Sequence, residues 1–175
     1  MAELEIHHEG PGESDPAGQR VGVLAAFLAV LLAVVSIESH RSHTKAVVLK
    51  ADVNDRWAYH QSKRLKFHNL ELGEDLIGLL AARGPASDAV LKRYRSEKER
   101  YAREADKIQA EAERKELEVH HTERQALFYD LSEGMLEIAL VMSSLFFIAR
   151  KMLFPAIGII AGLIGAGIAT AGMLL

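Results

Sequence analysis

Two long stretches without a charged residue constrain this chain more than any other feature. Residues 21–37 form an uncharged stretch of 17 residues, and residues 152–175 form another of 24. A helix rises about 1.5 Å per residue and the hydrocarbon core of a bilayer is about 30 Å thick, so each stretch can cross a membrane. A third apolar stretch, 138–149, has 12 residues and reaches 17 if it begins at Glu133. We therefore predict three transmembrane helices, at 20–37, 131–149 and 152–175.

The segment before the first apolar stretch is acidic. Residues 1–19 contain five acidic residues and no Lys or Arg, whereas a cleaved signal peptide begins with a basic region. The segment is also rich in Gly, Pro and Ser, a composition typical of chains without a packed core. We predict that residues 1–19 are a disordered acidic tail.

Helix-stopping residues interrupt the long charged region, 38–130, at one place near its middle. In residues 83–88, Gly84 can adopt the left-handed conformation that ends a helix, Pro85 prevents continuation, and Ser87 or Asp88 can cap the next helix. We predict a hairpin tip at 83–88, centred on Gly84 and Pro85. If the arms are antiparallel, residue i faces residue 170 − i, so 21–37 faces 133–149. Two separate helices folded into a compact bundle are the alternative.

Apolar residues recur at helical spacing in both arms. In the first arm, one predicted stripe contains Val53, Trp57, Leu65, Leu72, Leu76 and Leu79. In the second arm, a heptad places two seam positions at Tyr94, Tyr101, Ile108, Lys115, Thr122 and Tyr129 and at Leu91, Lys98, Ala105, Ala112, Val119 and Ala126. The predicted fold is an all-α membrane protein with a long antiparallel coiled-coil-like helical hairpin between its first two transmembrane helices.

Composition excludes several classes of function. The arms hold 18 Lys and Arg against 17 Asp and Glu, without the basic excess of a nucleic-acid-binding protein. Cysteine is absent and the eight histidines do not converge under the pairing rule, so we predict no metal site and no cofactor. No nucleophile with a base and no phosphate-binding loop is recognisable. We expect that the protein is not an enzyme.

Two acidic residues lie at the start of the second membrane segment. Glu133 and Glu137 are one helical turn apart, and an ionisable group at membrane depth costs several kcal/mol unless it faces water or a partner. They are candidates for an ion path or a charge pair. The alternative is that both reach the lipid headgroups.

The last segment is rich in small residues. Gly158 and Gly162 form a GxxxG pair, and Gly165 lies in a second row of small residues. Such rows let helix backbones approach closely in lipid, so we predict a helix-packing face at Gly158, Gly162 and Gly165.

Two stretches, ADVNDRWAYHQSKRLKFHNLELGEDL at 51–76 and ALFYDLSEGMLEIALVMSSLFFIARKMLFP at 126–155, resemble the bacterial membrane proteins grouped as domain-of-unknown-function family 4337. The resemblance covers nearly the whole chain from Gly18. It implies a helical inner-membrane protein and brings no assigned activity. The positions that carry it are interpreted as a contact surface between neighbouring hairpins: Asn54, Asp55, Trp57, Tyr59, Gln61 and Lys63.

The sequence thus favours a multi-pass protein of the bacterial inner (cytoplasmic) membrane that forms a homo-oligomeric scaffold or docking assembly, since the alanine- and lysine-containing seam buries little area. Its partners are the lipid bilayer, further copies of itself and, where the hairpins serve as docking sites, another protein. The alternative is an oligomeric ion channel or transport component lined by Glu133 and Glu137. Arg41, Lys45 and Lys50 after the first span favour a cytoplasmic hairpin, while the turn at 150–151 favours the opposite.

Overall fold

The computed structural model describes residues 15–80, 82 and 84–175. These residues form three α-helices and no strand: α1 (Pro16–Leu80), α2 (Pro85–Ala149) and α3 (Leu153–Leu174). The prediction of an all-helical chain is therefore confirmed. By length and composition, each helix contains a stretch that is long and apolar enough to cross a membrane.

The N-terminal end of α1 is fixed by a side-chain cap. The Asp15 carboxylate accepts hydrogen bonds from the backbone N–H groups of Ala17 and Gly18, both at 3.1 Å, and Pro16 occupies the first helical position, where its missing N–H does no harm. The helix thus starts four residues before the predicted span at 20–37, and the predicted disordered tail is wrong for residues 16–19. Residues 1–14 of that tail lie outside the described part of the chain.

The break between α1 and α2 lies where Gly84 and Pro85 predict it, although its chemistry differs. Gly84 does not have a positive φ, so the predicted left-handed role is wrong. Instead the Gly84 N–H donates to the Ser87 hydroxyl oxygen at 3.1 Å, and that hydroxyl is 2.8 Å from the Gly84 carbonyl oxygen. Pro85 is the first residue of α2. Ser87 thus provides the hydrogen-bond partner of the Gly84 N–H at the start of α2, and Gly84 is not a left-handed cap at the end of α1.

The left-handed residue lies instead in the turn between α2 and α3. Arg150 has φ 53°, a conformation that glycine or asparagine usually adopts. Its N–H donates to the Phe146 carbonyl oxygen at 2.8 Å, which closes the last turn of α2. Its guanidinium group forms an ion pair with Asp15, the residue that caps α1.

The chain divides into two compact units. One, the apolar unit, combines the N-terminal part of the chain up to Arg41 with Arg124–Leu175, and the other, the charged unit, is Ser42–Glu123. The core of the apolar unit draws on all three helices and contains Leu28, Val35, Tyr129, Leu136, Ala139, Ala161 and Ala169.

In the charged unit, α1 buries a face that differs from the predicted stripe. Of that stripe only Val53 is buried, whereas its four leucines are exposed. The 12 residues from Val53 to Leu65 turn the helix by about 120° beyond complete turns, so the predicted stripe drifts from one face to another. The residues that are buried or half-buried recur at alternating steps of four and three: Ser42, Ala46, Leu49, Val53, Arg56, His60, Lys63, Phe67, Leu70, Glu74 and Ile77. We call this the inner face of α1.

On α2 the predicted heptad agrees with the observed burial. All twelve residues at the two predicted seam positions are buried or half-buried, and Ala105 and Ala112 have no exposed surface. The steps between them alternate between three and four residues without interruption, so this face does not drift around the helix.

Candidate functional site

Small residues form the buried face of α3. Its buried residues are Pro155, Gly158, Ala161, Gly162, Gly165, Ala169 and Gly172, and this set contains the predicted packing residues Gly158, Gly162 and Gly165. A Cβ atom added at Gly158 would lie 2.8 Å from the Ala139 carbonyl oxygen. At Gly165 it would lie 3.2 Å from the Ser132 carbonyl oxygen. The backbones of α2 and α3 therefore approach too closely for a side chain at Gly158, and at Gly165 a side chain would require α2 to move by a few tenths of an ångström.

Polar side chains of α2 complete this contact. The Ser132 hydroxyl, which has no exposed surface, donates to the Gly165 carbonyl oxygen at 2.8 Å, and the Gln125 side chain donates to the Gly172 carbonyl oxygen at 3.2 Å. Sequence reasoning missed Ser132, Gln125 and Gly172. A signal for Ser132 existed, because a small hydroxyl residue in an apolar segment often hydrogen-bonds a neighbouring helix.

The acidic residues of the second membrane segment lie outside the apolar core. Glu137 is exposed and Glu133 is half-buried, and within the described part of the chain neither has an ion-pair partner. Glu137 belongs to a row of exposed polar residues at seven-residue spacing, Asp130, Glu137 and Ser144. One flank of α2 is therefore polar within a stretch that is otherwise apolar.

Ion pairs join the facing sides of α1 and α2 in the charged unit. Lys50 contacts Glu123 at 2.5 Å, Arg56 contacts Glu111 at 2.6 Å, and Lys63 contacts Glu104 at 2.6 Å. Further along α1, Glu74 contacts Arg95 at 2.8 Å and Lys98 at 2.9 Å. The residue numbers on α2 fall as those on α1 rise.

Lys63 has the least exposed side chain among the residues of these ion pairs. Its side chain is 12% exposed, and its ammonium nitrogen lies 5.0 Å from the centroid of the Tyr59 ring and 5.4 Å from that of Tyr101, within cation–π range. The hydrogen bond to Glu104 raises the pKa of Lys63 and lowers that of Glu104. Each group therefore stabilises the charged form of the other.

The Glu74 carboxylate bridges two cations. Hydrogen bonds from Arg95 and then Lys98 lower the pKa of Glu74, and the bond to Glu74 raises the pKa of Lys98. Both oxygens of the carboxylate are used, Oε1 by Arg95 and Oε2 by Lys98.

The sign of the charge reverses along both helices. On α1, residues 47–66 hold five basic and two acidic residues, while 67–80 hold three acidic residues and no Lys or Arg. On α2, residues 104–123 hold seven acidic and three basic residues, while 85–103 hold six basic and three acidic residues. The ion pairs join the basic part of α1 to the acidic part of α2 and the acidic part of α1 to the basic part of α2.

The six residues interpreted as a hairpin contact surface are not on one face. Lys63 lies on the inner face, and Trp57 is half-buried with its ring edge-on to His60 at 5.5 Å between centroids. The remaining four are exposed: Asn54, Asp55, Tyr59 and Gln61. Only these four are accessible to another molecule over most of their surface.

Leucines on the other side of α1 are not covered by the residues that the structure describes. Leu65 is 62% exposed, Leu72 59%, Leu76 46% and Leu79 81%. In the same segment charged residues, among them Lys63 and Glu74, occupy the buried face. Phe67, Leu70 and Ile77 share the buried face, so apolar and charged residues lie on both sides of α1 here, unlike the usual arrangement with apolar residues inside and charged residues outside.

The described residues offer no metal site. Among residues 15–80, 82 and 84–175, no three His, Asp or Glu side chains come together as metal ligands would.

Residues 17–175 match the family model described as Domain of unknown function (DUF4337). The chain belongs to this family. The match to the DUF4337 family covers all three helices apart from the first residue of α1, so both units are part of the family's common chain. No curated protein and no solved structure matches this chain.

Replacement of Gly158 by alanine should loosen the contact between α3 and α2. The added methyl group would lie 2.8 Å from the Ala139 carbonyl oxygen, and overpacking of this kind costs about 1–3 kcal/mol. Thermal unfolding in mild detergent, followed by circular dichroism, should show a lower midpoint for Gly158→Ala. Gly167→Ala is the control, because a Cβ there meets nothing within 4 Å and alanine favours a helix. Equal midpoints for the two variants would contradict the prediction.

Acid should weaken the charged unit through its carboxylates. The folded-state pKa values of Glu74 and Glu104 are lowered, so their contribution to stability is present above the ordinary glutamate pKa of about 4.3 and is lost as pH falls through the lowered pKa. The unfolding midpoint of the full chain should fall with acidification below about pH 4.3. Glu74→Gln/Glu104→Gln should show a shallower fall. An identical pH profile would show that these ion pairs do not contribute.

Proposed function

We propose that this chain is a non-enzymatic membrane protein that assembles with copies of itself into a scaffold or docking assembly. Its three helices cross the bacterial inner (cytoplasmic) membrane, and its charged unit is an antiparallel, coiled-coil-like hairpin on the cytoplasmic side.

The order of the ion pairs supports the antiparallel hairpin. Lys50, Arg56 and Lys63 contact Glu123, Glu111 and Glu104 in that order, which is the order expected for helices that run in opposite directions. The hydrogen bond from the Ser39 hydroxyl to Asp130, at 2.6 Å, follows the same pairing rule in the apolar unit.

Composition supports membrane insertion and favours one orientation. Three helices are long and apolar enough to cross a bilayer, and the segment after the first apolar stretch carries Arg41, Lys45 and Lys50, whereas Arg20 alone precedes that stretch. Basic residues are enriched on the cytoplasmic side. Arg150 and Lys151 in the second turn favour the opposite orientation but are fewer.

One observation carries the proposal of self-assembly: the exposed leucines of α1. Complete burial of a leucine side chain contributes about 1.5–3 kcal/mol, and Leu65, Leu72, Leu76 and Leu79 leave about half or more of that contribution unused. The inner face cannot supply the missing stability, because exposed or half-exposed ion pairs contribute only about 0–1 kcal/mol each. A neighbouring protomer would bury the leucines.

The polar flank of α2 favours a second candidate, an oligomeric ion channel or transport component. Glu137 is exposed on a segment of apolar composition, with Glu133 one turn away. A charged group facing lipid costs about 3 kcal/mol or more, so this flank would face either water or another protomer. Copies of Glu133 and Glu137 around a central path would satisfy that requirement.

Light scattering of the detergent-solubilised protein tests self-assembly. We expect a mass that is a multiple of the protomer's, and a return to the protomer mass in Leu65→Gln/Leu72→Gln/Leu79→Gln, because burial of the leucines would be lost. Leu117→Gln is the control, since Leu117 is 70% exposed on α2 and is not part of the leucine set. A wild-type protein of protomer mass would refute the proposal.

Cation flux across reconstituted vesicles separates the two candidates. A channel should conduct, and Glu137→Gln should abolish the flux because the carboxylate would be lost from the path. Ser144→Ala, which alters the same flank without removing a charge, should conduct. Vesicles that stay silent with the wild-type protein would leave the scaffold as the supported function.

A further inference from the structure

A second stripe runs along α1 on the side roughly opposite its inner face. We call it the outer face: Val47, Ala51, Asn54, Ala58, Gln61, Leu65, Leu72, Leu76 and Leu79, all of them exposed. The steps between them are 4, 3, 4, 3, 4, 7, 4 and 3 residues. The alternation of four and three that is typical of a coiled coil holds from Val47 to Leu65; continued, it would include His68 and would place Asp75 at the position next to Leu76.

The outer face has a composition unlike the rest of its segment. Ten of the 33 residues in 47–79 are Lys, Arg, Asp or Glu, and none of the ten is in this set, although Asp75 falls at the heptad position shared by Asn54 and Gln61. A stripe with a single charged position on a helix this rich in charge is unexpected for a surface that meets only water. Its apolar residues are small near one end, Ala51 and Ala58, and large toward the other.

We propose that a second copy of this chain occupies the outer face, with the two α1 helices parallel, in register and related by a two-fold axis. The inference rests on the proposed self-assembly and specifies its interface. Each residue of the outer face would then lie opposite its own copy, and Leu72 would pack near the axis.

The two amides on the outer face favour an identical partner. Asn54 and Gln61 each carry both a donor and an acceptor, so each can pair with its own copy across a two-fold axis without leaving a buried polar atom unsatisfied. A single asparagine at such a position specifies register and the number of chains in coiled coils, with some loss of stability. Two amides seven residues apart would fix the register more firmly than one.

Charges beside the outer face are compatible with the parallel register. In a parallel pair of helices, a residue on one flank meets the residue five positions later on the other chain. The pairs this creates are Lys50 with Asp55, Trp57 with Ser62, Arg64 with Asn69 and Glu71 with Leu76. Among these four pairs, the one with two charges is attractive and no like charges meet. Asp75, which is exposed and lies at the heptad position of Asn54 and Gln61, would face its own copy and is the main source of repulsion between the two copies.

Insertion in one bilayer gives the parallel direction. Copies that insert in the same orientation carry α1 in the same direction, so a closed dimer needs a two-fold axis along the membrane normal. An antiparallel pair of outer faces would join chains from two separate membranes.

Cysteine cross-linking tests this interface, because the chain contains no cysteine of its own. Leu72→Cys, oxidised with copper phenanthroline in native membrane vesicles, should form a disulfide-linked dimer at least ten times faster than Leu117→Cys, the control on α2. Leu65→Cys and Leu79→Cys should also cross-link, and Lys66→Cys, which lies off the outer face, should not.

A second measurement uses the amides. Asn54→Asp in the Leu72→Cys background would place two carboxylates across the axis, so cross-linking should fall at least tenfold, whereas Asn54→Gln should retain it. Equal cross-linking of the Leu72→Cys and Leu117→Cys variants would overturn the interface. So would a multimer by light scattering without a cross-link in Leu72→Cys, which would leave the proposed self-assembly intact.

If something other than a second copy covers the outer face, the cross-linking experiment would give a different result. A cross-linked product that contains a different protein, identified by mass spectrometry, would overturn the proposal in favour of a heterologous partner. A Leu72→Cys variant whose new thiol fails to react with maleimide, with no dimer formed, would show that another part of the same chain covers the outer face, and would also overturn it.

Discussion

Pairing of opposite charges between α1 and α2 is the interaction on which the charged unit depends. Each ion pair contributes little by itself, about 0–1 kcal/mol where it is exposed, so the pairs matter more for alignment than for strength. Because the sign of the charge reverses along both helices, sliding one helix past the other by about six residues, the separation of Glu104 and Lys98 along α2, would bring Lys63 toward Lys98 and its basic neighbours. The charge order thus favours one register, while the alanines of α2 allow the close approach that the ion pairs require.

The sequence predicts the buried face of α2 but not that of α1, and the difference has a physical reason. On α2 the seam residues repeat without drift and most are apolar, so periodicity identifies the buried face. On α1 the buried face includes Arg56, His60, Lys63 and Glu74, and a search for apolar spacing finds the outer leucines instead. Hydrophobic periodicity reports where apolar residues lie around a helix, and it identifies the buried face only when that face is mostly apolar and no exposed face carries apolar residues at the same spacing.

In the apolar unit, residue spacing predicts some features, such as the packing face of α3, while other features are visible only from the contacts in the structure. Glycine spacing predicts the packing face of α3 because only glycine allows such close approach, and lipid supplies no hydrophobic force between helices. Spacing cannot show which serine of α2 reaches a carbonyl of α3, since Ser132 and Ser144 look alike in the sequence while one is buried and the other exposed. Nor does it show which turn residue is left-handed: Ser87 removes that need at Gly84, and Arg150 meets it in the other turn.

Two chemically different faces on one helix solve a problem of specificity. If both faces of α1 were rows of leucine, α1 could pair with α2 or with another α1 at similar free energy, and the chain would populate several folds. A charged inner face accepts a helix with the opposite order of charge, which α2 provides and a parallel α1 does not, since Lys63 would meet Lys63. An uncharged outer face with amides accepts its own copy and offers no ion-pair partner to α2. In the proposed assembly, folding and self-association therefore use recognition chemistries that do not compete, so the hairpin can form before its leucines meet a second protomer.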